Sequence, residues 1–268
     1  MSLAATSSEE GGRTATPPAD AWSLAGSKGA RTVAVCIPAR NEEPTVGPIV
    51  HAIVTALTDR FGGAPLVDDV VVVDDGSDDG TAERARRAGA RVIRSESRGG
   101  GKGQAMRSAL IATEADLIAF VDADVTNFGT HFVTGLLEPL LMDESVTLVK
   151  GYYERPLHGA PDGGGRVTEL MARPVIDLLF PQLATIEQPL AGETAAPRWV
   201  LEKCGLADGY AVELALLIDV ASLYGVGSIA QVDLGTRVHR NRPLAELRPQ
   251  ATDILAAALS RARLVTPD

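Results

Sequence analysis

Leu117-Ile118-Ala119-Phe120-Val121-Asp122-Ala123-Asp124 is the stretch that decides the fold. Its five leading apolar residues predict a fully buried central strand. Two carboxylates follow, one residue apart, at what would be the carboxyl edge of a sheet, where open α/β folds bind their ligands. Carboxylate oxygens at that edge suit Mg²⁺ or Mn²⁺ carrying a diphosphate. Because Asp is also common in ordinary turns, the rest of the chain has to decide between a site and a turn.

Composition narrows the class of protein. The 268 residues are 45% hydrophobic and 22% charged, which is typical of a globular α/β protein. A net charge of −10 argues against a general nucleic-acid binder. No apolar run approaches the roughly 18 residues of a membrane span, and the N-terminus lacks the apolar segment of a signal peptide. Cys36 and Cys204 have no metal-ligand spacing and are predicted to be buried free thiols of a reducing compartment, which favours the cytoplasm.

Strands and helices alternate from Val33 to Tyr153, which predicts a largely parallel sheet covered by helices on both faces. After Pro44, apolar residues recur with helical spacing and form one stripe. Further helices are predicted at 81–89, after the glycines that flank Lys102, and over 132–141. The predicted strands besides the central one are Val33–Ile37, Asp69–Val73, Arg91–Ile93 and Thr147–Tyr153.

The two ends of the chain are less regular. Residues 1–30 are rich in small and polar residues and are expected to form a flexible tail, with Trp22 as its candidate anchor. A glycine- and proline-rich loop follows Tyr153. Beyond it, helices are predicted at 167–179, 195–204 and 210–223, a strand at 229–234, and a last helix ending near Arg263.

Acidic residues follow three predicted strands, as Glu42-Glu43, Asp74-Asp75 and Asp122/Asp124. Their mutual repulsion at one sheet edge has to be offset by a divalent cation or by hydrogen bonds to ribose and base. Two other phosphate motifs are excluded. No G-x-G-x-x-G follows the first strand, and Gly101-Lys102-Gly103 lacks the Ser or Thr of a Walker A loop. The pattern therefore favours a metal-dependent nucleotide site.

Several motifs resemble known glycosyltransferases. Pro38-Ala39-Arg40-Asn41-Glu42-Glu43, Val72-Val73-Asp74-Asp75-Gly76-Ser77-Asp78-Asp79-Gly80-Thr81 and Asp122-Ala123-Asp124 resemble the GT-A nucleotide-sugar enzymes. Motifs of the second half resemble, more narrowly, the retaining glucosyl-3-phosphoglycerate synthase family of actinobacteria, with the mannosyl-3-phosphoglycerate synthases close behind. They are Val149-Lys150-Gly151-Tyr152-Tyr153, Gly163-Gly164-Gly165-Arg166-Val167-Thr168-Glu169-Leu170, Gln188-Pro189-Leu190, Gly209-Tyr210-Ala211-Val212-Glu213 and Val238-His239-Arg240-Asn241-Arg242-Pro243-Leu244.

The resemblance spans about Val33 to Arg263, with departures from the family pattern at Arg40, Asp75 and Ala191. It implies a GT-A type α/β fold, in which helices flank a mostly parallel central sheet and a mixed C-terminal part binds the acceptor. Residues 31–153 would form the donor-binding half, and residues 154–268 the acceptor-binding half with the C-terminal helices. It also implies a homodimer, whereas the composition argues against nucleic-acid and membrane partners.

For the nucleotide-sugar donor, the resemblance implies that Lys102, Asp122 and Glu213 carry the chemistry. Lys102 stands among glycines that let it approach a diphosphate closely. Glu42 can accept hydrogen bonds from ribose hydroxyls or cap the helix that follows it. The full set of implied donor-binding residues is Pro38, Ala39, Arg40, Glu42, Asp75, Lys102, Asp122, Ala123, Asp124, Leu190, Tyr210, Glu213 and Arg237.

For the metal, the resemblance implies Asp124 and His239 as ligands of Mg²⁺ or Mn²⁺. The implied acceptor-binding residues are Gly165, Arg166, Thr168 and Asn241. An arginine fork beside a helix N-terminus suits a carboxylate or a phosphate.

Retention of configuration leaves two routes open. Double displacement needs a carboxylate nucleophile behind the anomeric carbon. In a front-face reaction the leaving diphosphate takes the acceptor proton instead. We favour the second route, because Glu213 is predicted at a helix N-terminus, where the dipole suits a hydrogen-bond acceptor better than a nucleophile.

The expected function is transfer of glucose from UDP-glucose or GDP-glucose to the 2-hydroxyl of 3-phosphoglycerate. Alternatives are a GDP-mannose donor, a different phosphorylated acceptor, or a degenerate protein that binds nucleotide sugars without turnover. A sugar-nucleotide pyrophosphorylase is disfavoured, since no glycine-rich arginine loop follows the first strand.

Overall fold

The computed structural model describes residues 21–58, 64–96, 98–155, 165–238 and 244–262. The strands in these ranges are β1 (Val33–Ala39), β2 (Asp69–Asp74), β3 (Arg91–Arg94), β4 (Leu117–Phe120), β5 (Leu148–Glu154), β6 (Thr194–Pro197) and β7 (Ile229–Thr236). The α-helices are α1 (Ala21–Lys28), α2 (Glu43–Leu57), α3 (Thr81–Arg87), α4 (Lys102–Ala112), α5 (His131–Met142), α6 (Arg173–Leu179), α7 (Arg198–Cys204), α8 (Val212–Tyr224) and α9 (Leu244–Arg261). A π-helical segment, Thr168–Ala172, leads into α6.

The described strands form one sheet in the order β3-β2-β1-β4-β6-β5-β7. β1 runs parallel to β2 and β4, β2 parallel to β3, and β5 parallel to β7. β6 is antiparallel to both of its neighbours, β4 and β5. The carboxyl ends of the parallel strands therefore meet the amino end of β6 at one edge. β6 and β7 come from the predicted acceptor-binding half, so the two predicted halves share a single sheet.

Side chains of β1 alternate between two hydrophobic layers. Val33, Val35 and Ile37 pack with α2 and α5 on one face of the sheet. Ala34 and Cys36 pack with α4 and α8 on the other face. Every residue of β4 is buried. A strand covered on both faces has to be apolar along its whole length, which is why the run at 117–121 predicted the central strand correctly.

Most predicted elements occur close to their predicted bounds, and α2 buries the predicted stripe except for the half-buried Val54. The helix predicted at 195–204 is wrong in its first part. Thr194–Pro197 form β6, and α7 begins only at Arg198. Alanine favours helices, but pairing with β4 and β5 satisfies this segment's backbone inside the sheet. Tertiary pairing thus overrides the local propensity.

The predicted flexible tail, residues 1–30, is wrong for its last part, because residues 21–28 form α1. Leu24 is fully buried, and α1 packs against α5. Lys28 is also buried, and its Nζ lies 2.7 Å from Asp68 Oδ2. Trp22, the candidate anchor, is half exposed. One buried leucine in eight residues is too little periodicity to reveal a docked helix. Residues 1–20 lie outside the described ranges.

None of the helices in the described ranges combines the length and the apolar character needed to cross a membrane.

Replacing Leu24 by alanine tests the docking of α1. Leu24→Ala is expected to lower the free energy of unfolding by about 2–5 kcal/mol, because it removes a fully buried side chain from the core. Urea unfolding followed by circular dichroism measures the change. Ser23→Ala, on the exposed side of the same helix, is the matched control and should change stability by less than about 0.5 kcal/mol. A Leu24→Ala protein as stable as its parent would mean that α1 is not docked.

Candidate active site

A pocket of about 390 Å³ opens at the edge where the carboxyl ends of the parallel strands meet. Its volume lies within the roughly 300–1,000 Å³ of small-molecule sites. Every predicted donor- or acceptor-binding residue in the described ranges lines it, although their binding roles stay predictions. These residues are Pro38, Ala39, Arg40, Glu42, Asp75, Lys102, Asp122, Ala123, Asp124, Gly165, Arg166, Thr168, Leu190, Tyr210, Glu213 and Arg237. Two predicted residues, His239 and Asn241, lie outside the described residues.

Asp75 holds the glycine loop that precedes α4. Its carboxylate oxygens accept hydrogen bonds from the backbone N–H groups of Gly100 (3.1 Å) and Gly101 (3.0 Å). Gly101 has a φ of 84°, a conformation that glycine adopts without strain. The loop thus presents Lys102 as the first residue of α4, beside the pocket. The resemblance implied that Asp75 lies near the base, and the anchoring of the loop is an addition to that prediction.

Glu42 stands at the position before α2, but its side chain makes no capping bond to the helix backbone. Its Oε2 accepts a hydrogen bond from Thr45 Oγ1 at 3.4 Å, and the residue lines the pocket. The helix-cap interpretation is therefore not supported, while ribose binding by Glu42 stays a prediction.

Lys102 connects two carboxylates from different elements. Its Nζ contacts Asp122 Oδ1 and lies 2.9 Å from Glu213 Oε1. Burial by itself lowers the pKa of Lys102, but the charges of Asp122, Glu213 and Glu193 raise that pKa above the usual lysine value. Burial likewise raises the pKa of Asp122, yet Lys102 and Arg237 hold it well below its usual range. Lys102 and Asp122 therefore form a charged pair at neutral pH.

Arg237, which follows β7, bridges both carboxylates of the Asp-x-Asp pair. Its Nη2 donates to Asp122 Oδ2 (2.8 Å) and to Asp124 Oδ1 (2.6 Å). Its Nη1 donates to Tyr153 Oη (2.5 Å) and to Glu193 Oε2 (3.2 Å). The guanidinium is thereby tied to carboxylates on two sides. A fixed, buried cation of this kind suits the recognition of a phosphate group.

Asp124 is well placed to bind a divalent cation. Its side chain is 26% exposed at the pocket, and its Oδ2 has no hydrogen-bond partner among the described residues. Both oxygens of Asp122, in contrast, are paired with cations. Within the described ranges, no group of three His, Cys, Asp or Glu side chains could hold a metal by itself. A cation at Asp124 would thus need oxygens of the nucleotide sugar, or the predicted ligand His239, to complete its coordination.

Gly165, Arg166 and Thr168 line the same pocket at the start of a helical stretch. Gly165 has a φ of 81°, which glycine adopts without strain. Free backbone N–H groups at a helix start favour anions. Arg155 adds a further cation to the lining, and its Nη2 donates to Tyr153 Oη at 2.8 Å. This part of the pocket can therefore hold an anionic group.

The sequence pattern did not reveal the residues behind the Asp-x-Asp pair. Gly192 and Glu193 precede a segment that was predicted as a helix, and Tyr153 was assigned only to a strand end. Residues of α9 were missed as well. Leu247, Gln250 and Ile254 line the pocket. The one available signal was a charged residue, Glu193, placed directly before a short run of small residues.

Comparison with known proteins relates this pocket to a family. The profile of glycosyl transferase family 2 matches residues 34–157. Over 253 residues the chain is 47% identical to glucosyl-3-phosphoglycerate synthase of Mycolicibacterium smegmatis, and the match covers 90% of this chain and 82% of the relative. The chain belongs to the glucosyl-3-phosphoglycerate synthase family. A synthase from Petrotoga mobilis is 41% identical over 239 residues, covering 85% of this chain and 73% of that relative.

A solved structure extends the relation to the fold. The glucosyl-3-phosphoglycerate synthase of Mycobacterium tuberculosis, in complex with Mn²⁺, UDP-glucose and phosphoglyceric acid, matches with a TM-score of 0.83 and 40% identity. The match covers 95% of this chain and 87% of the synthase chain. The predicted family is therefore confirmed, and so is the predicted GT-A type fold with a mostly parallel sheet flanked by helices.

Gly192 has no side chain, and Lys102 and Asp122 occupy the space beside it. A Cβ at this position would clash with Lys102 Nζ and with both carboxylate oxygens of Asp122. Gly192→Ala is therefore expected to displace the pair and to lower the free energy of unfolding by about 1–3 kcal/mol, as overpacking does. Gly227→Ala is the control, because a Cβ there meets no atom within 4 Å. Equal urea midpoints for the two variants would show that the pair tolerates a side chain at Gly192.

Proposed function

We propose that the chain is a metal-dependent retaining glucosyltransferase that moves glucose from UDP-glucose to the 2-hydroxyl of 3-phosphoglycerate. One observation carries the proposal: the cations and carboxylates suited to a metal-bound diphosphate line one pocket in a chain 47% identical to a glucosyl-3-phosphoglycerate synthase. The Mycobacterium tuberculosis synthase binds Mn²⁺, UDP-glucose and phosphoglyceric acid in one structure, and Mn²⁺, UDP and glucosyl-3-phosphoglycerate in another. Those ligands are a donor with its acceptor, and the two products of the proposed transfer.

Stabilisation of the leaving diphosphate is the main chemical task. A bound divalent cation would act as a Lewis acid that withdraws charge from the departing oxygen. Asp124 is proposed to hold that cation, with His239 as the second protein ligand. Lys102 and Arg237 line the pocket as charged groups and would bind the diphosphate oxygens directly. Because their positions are fixed before the reaction, they stabilise the developing charge without rearrangement.

Glu213 is proposed to position the sugar rather than to attack it. It lies in the first turn of α8, where the helix dipole favours a negative charge. Its Oε1 is 2.9 Å from Lys102 Nζ, so its charge is also partly neutralised by an ammonium group. Both features lower the nucleophilicity of the carboxylate and suit a hydrogen-bond acceptor for sugar hydroxyls. The proposed route is therefore a front-face reaction in which the leaving diphosphate takes the acceptor proton.

Incubation of the purified protein with UDP-glucose, 3-phosphoglycerate and Mn²⁺ or Mg²⁺ tests the function. We expect a glucosyl-3-phosphoglycerate with the anomeric configuration of the donor, identified by mass spectrometry and NMR, and its loss with EDTA. GDP-glucose, GDP-mannose and other phosphorylated acids run in parallel would reveal a different donor or acceptor. Nucleotide-sugar binding without turnover of any pair would indicate the degenerate binding protein instead.

Two further expectations concern the whole molecule. Resemblance to the family suggests a homodimer, which light scattering of the purified protein would test. The free cysteines Cys36 and Cys204 support a reducing compartment and hence the cytoplasm. Fractionation of the producing cells would check that location.

Arg166→Ala tests the acceptor site. Loss of a charge-assisted hydrogen bond costs about 1.5–3 kcal/mol, so KM for 3-phosphoglycerate is expected to rise about ten- to hundredfold, with KM for UDP-glucose little changed. Steady-state kinetics with each substrate varied in turn measures both values. Arg173→Ala, on α6 and paired with Glu169, is the matched control. An unchanged acceptor KM in Arg166→Ala would remove this residue from the acceptor site.

Glu213→Gln separates the two routes to retention. Gln keeps one carbonyl oxygen for sugar hydroxyls, so the variant is expected to keep measurable activity and to form a product of retained configuration. Glu202→Gln, on the exposed face of α7, is the control for loss of a carboxylate. Intact-protein and peptide mass spectrometry of the parent with a slow donor completes the test. A sugar attached covalently to Glu213 would establish double displacement.

A further inference from the structure

Three consecutive residues directly before β6 border cations in and behind the pocket. They are Ala191, Gly192 and Glu193. The carbonyl oxygen of Ala191 accepts a hydrogen bond from Lys150 Nζ at 2.5 Å. Gly192 leaves space for Lys102, and Glu193 accepts a hydrogen bond from Arg237. Of these three residues, Glu193 alone brings a charged side chain, and the proposed function gives that charge no task.

Glu193 is a completely buried carboxylate, with 0% of its side chain exposed. Its Oε2 accepts hydrogen bonds from Tyr153 Oη (2.8 Å) and Arg237 Nη1 (3.2 Å). Its Oε1 is buried with no hydrogen-bond partner among the described residues. A buried charge is costly unless fully paired, and replacing a whole buried ion pair by apolar side chains of similar volume is often neutral or stabilising. Stability alone therefore does not account for the buried pair of Glu193 and Arg237.

Tyr153 completes the attachment of Arg237. Burial raises the pKa of Tyr153 to about 12, so its hydroxyl stays protonated and donates to Glu193. The same oxygen accepts hydrogen bonds from Arg237 and Arg155. With its single donor and both acceptor positions used, the hydroxyl has one orientation. Glu193 and Tyr153 together therefore fix one guanidinium nitrogen of Arg237, Nη1.

The other nitrogen of the fork, Nη2, is the one that contacts both Asp122 and Asp124. A cation-bound diphosphate needs an oxygen of Asp124 and a positive group close beside it. An arginine tied only to the Asp-x-Asp pair would compete with the metal for those carboxylates. An arginine tied to Glu193 as well can give up Asp124 and stay in place to meet the diphosphate.

We propose that Glu193 is a positioning residue that fixes Arg237 as the resident counter-ion of Asp122 and Asp124. When a metal-bound nucleotide diphosphate arrives, Arg237 exchanges Asp124 for diphosphate oxygens while Glu193 keeps it in place. The second half of this inference rests on the proposed function, which supplies the diphosphate. The first half concerns the protein without ligand and is testable separately.

A double-mutant cycle in EDTA tests the ligand-free half. Glu193→Gln and Asp124→Asn are made singly and together, and the unfolding equilibrium constant of each protein is measured in urea. Since both carboxylates act on Arg237, the combined effect is expected to differ from the product of the single effects by a factor of about three or more. Thr194→Val with Asp124→Asn is the matched cycle. Thr194 is the next residue along and is buried, and its hydroxyl bonds Val149 instead.

Binding of UDP at a series of Mn²⁺ concentrations tests the second half, with isothermal titration as the measurement. Glu193→Gln is expected to weaken Mn²⁺-dependent UDP binding about tenfold, because it turns the charge-assisted bond to Arg237 into a neutral one of about half the strength. Thr194→Val should stay within about twofold of the parent. A merely structural Glu193 would lower thermal stability in both variants and leave the Mn²⁺ dependence of UDP binding unchanged.

Tyr153→Phe keeps the proposal testable if Glu193→Gln does not fold. It removes the hydroxyl that fixes Arg237 but leaves Arg237 paired with Glu193, Asp122 and Asp124, and it should weaken Mn²⁺-dependent UDP binding about three- to tenfold. The inference would be overturned if the two single effects on the unfolding constant multiplied to give the double-variant effect within about a factor of two. Unchanged UDP binding in the folded variants would overturn it as well. Failure of the proposed function shows itself differently, as absence of product from 3-phosphoglycerate, because neither test contains the acceptor.

Discussion

The carboxylate of Asp122, paired with Lys102 on one side and Arg237 on the other, is the interaction on which the pocket depends. Each partner comes from a different part of the fold: Asp122 follows β4, Lys102 begins α4, and Arg237 follows β7. Ion pairs that are largely shielded from solvent lose much of their hydration, and removal of one partner leaves the other charge uncompensated. The two apolar layers of the core must therefore supply the stability that holds these charged groups together.

The antiparallel strand β6 makes this arrangement possible. A parallel strand between β4 and β5 would place its amino end at the opposite edge, far from Asp122. Because β6 runs the other way, Gly192 and Glu193 arrive directly beside the carboxyl ends of β4 and β5. Gly192 has no side chain and so leaves room for Lys102. The carboxylate of Glu193 accepts a hydrogen bond from Arg237, so one short segment contacts both cations.

Local sequence patterns predicted the groups that stand at the ends of regular elements. The apolar run before Asp122 identified the central strand, and the glycines around Lys102 identified the start of a helix. Patterns of this kind report burial and turns within a few residues. Arg237 and Glu193 are 44 residues apart, and Arg237 and Asp122 are 115 residues apart, so their pairing follows from the strand order alone.

The same limit explains the errors at α1 and β6. Whether residues 21–28 fold against α5 depends on one leucine and on a lysine that reaches Asp68. Whether residues 194–197 become a strand depends on β4 and β5, whose backbone groups pair with this segment from either side. Neither condition leaves a periodic trace in the segment itself. Family resemblance supplied the pocket residues that periodicity could not, but it did not extend to Glu193.

Charge balance connects the network to the substrates. Among the described residues, ion pairs join two cations, Lys102 and Arg237, to four carboxylates, Asp122, Asp124, Glu193 and Glu213. Two further cations stand beside them: Lys150 is hydrogen-bonded to the carbonyl of Ala191, and Arg155 to the hydroxyl of Tyr153. These eight groups form the network, and their formal charges cancel. Burial lowers the pKa of Lys150 to about 8, against the opposing influence of Glu213, so this lysine is still largely charged at neutral pH.

A divalent cation bound to a nucleotide-diphosphate sugar is itself neutral, so the proposed donor complex can enter without upsetting the balance of the network. An acceptor with a carboxylate and a phosphate is different, because it adds negative charge to a protein whose net charge is already −10. That charge needs a positive group beside the acceptor. Arg166 lines the pocket from the start of a separate helical stretch. Donor and acceptor would thus be recognised by separate groups of charges, which is why substitutions in the two groups should affect the two substrates differently.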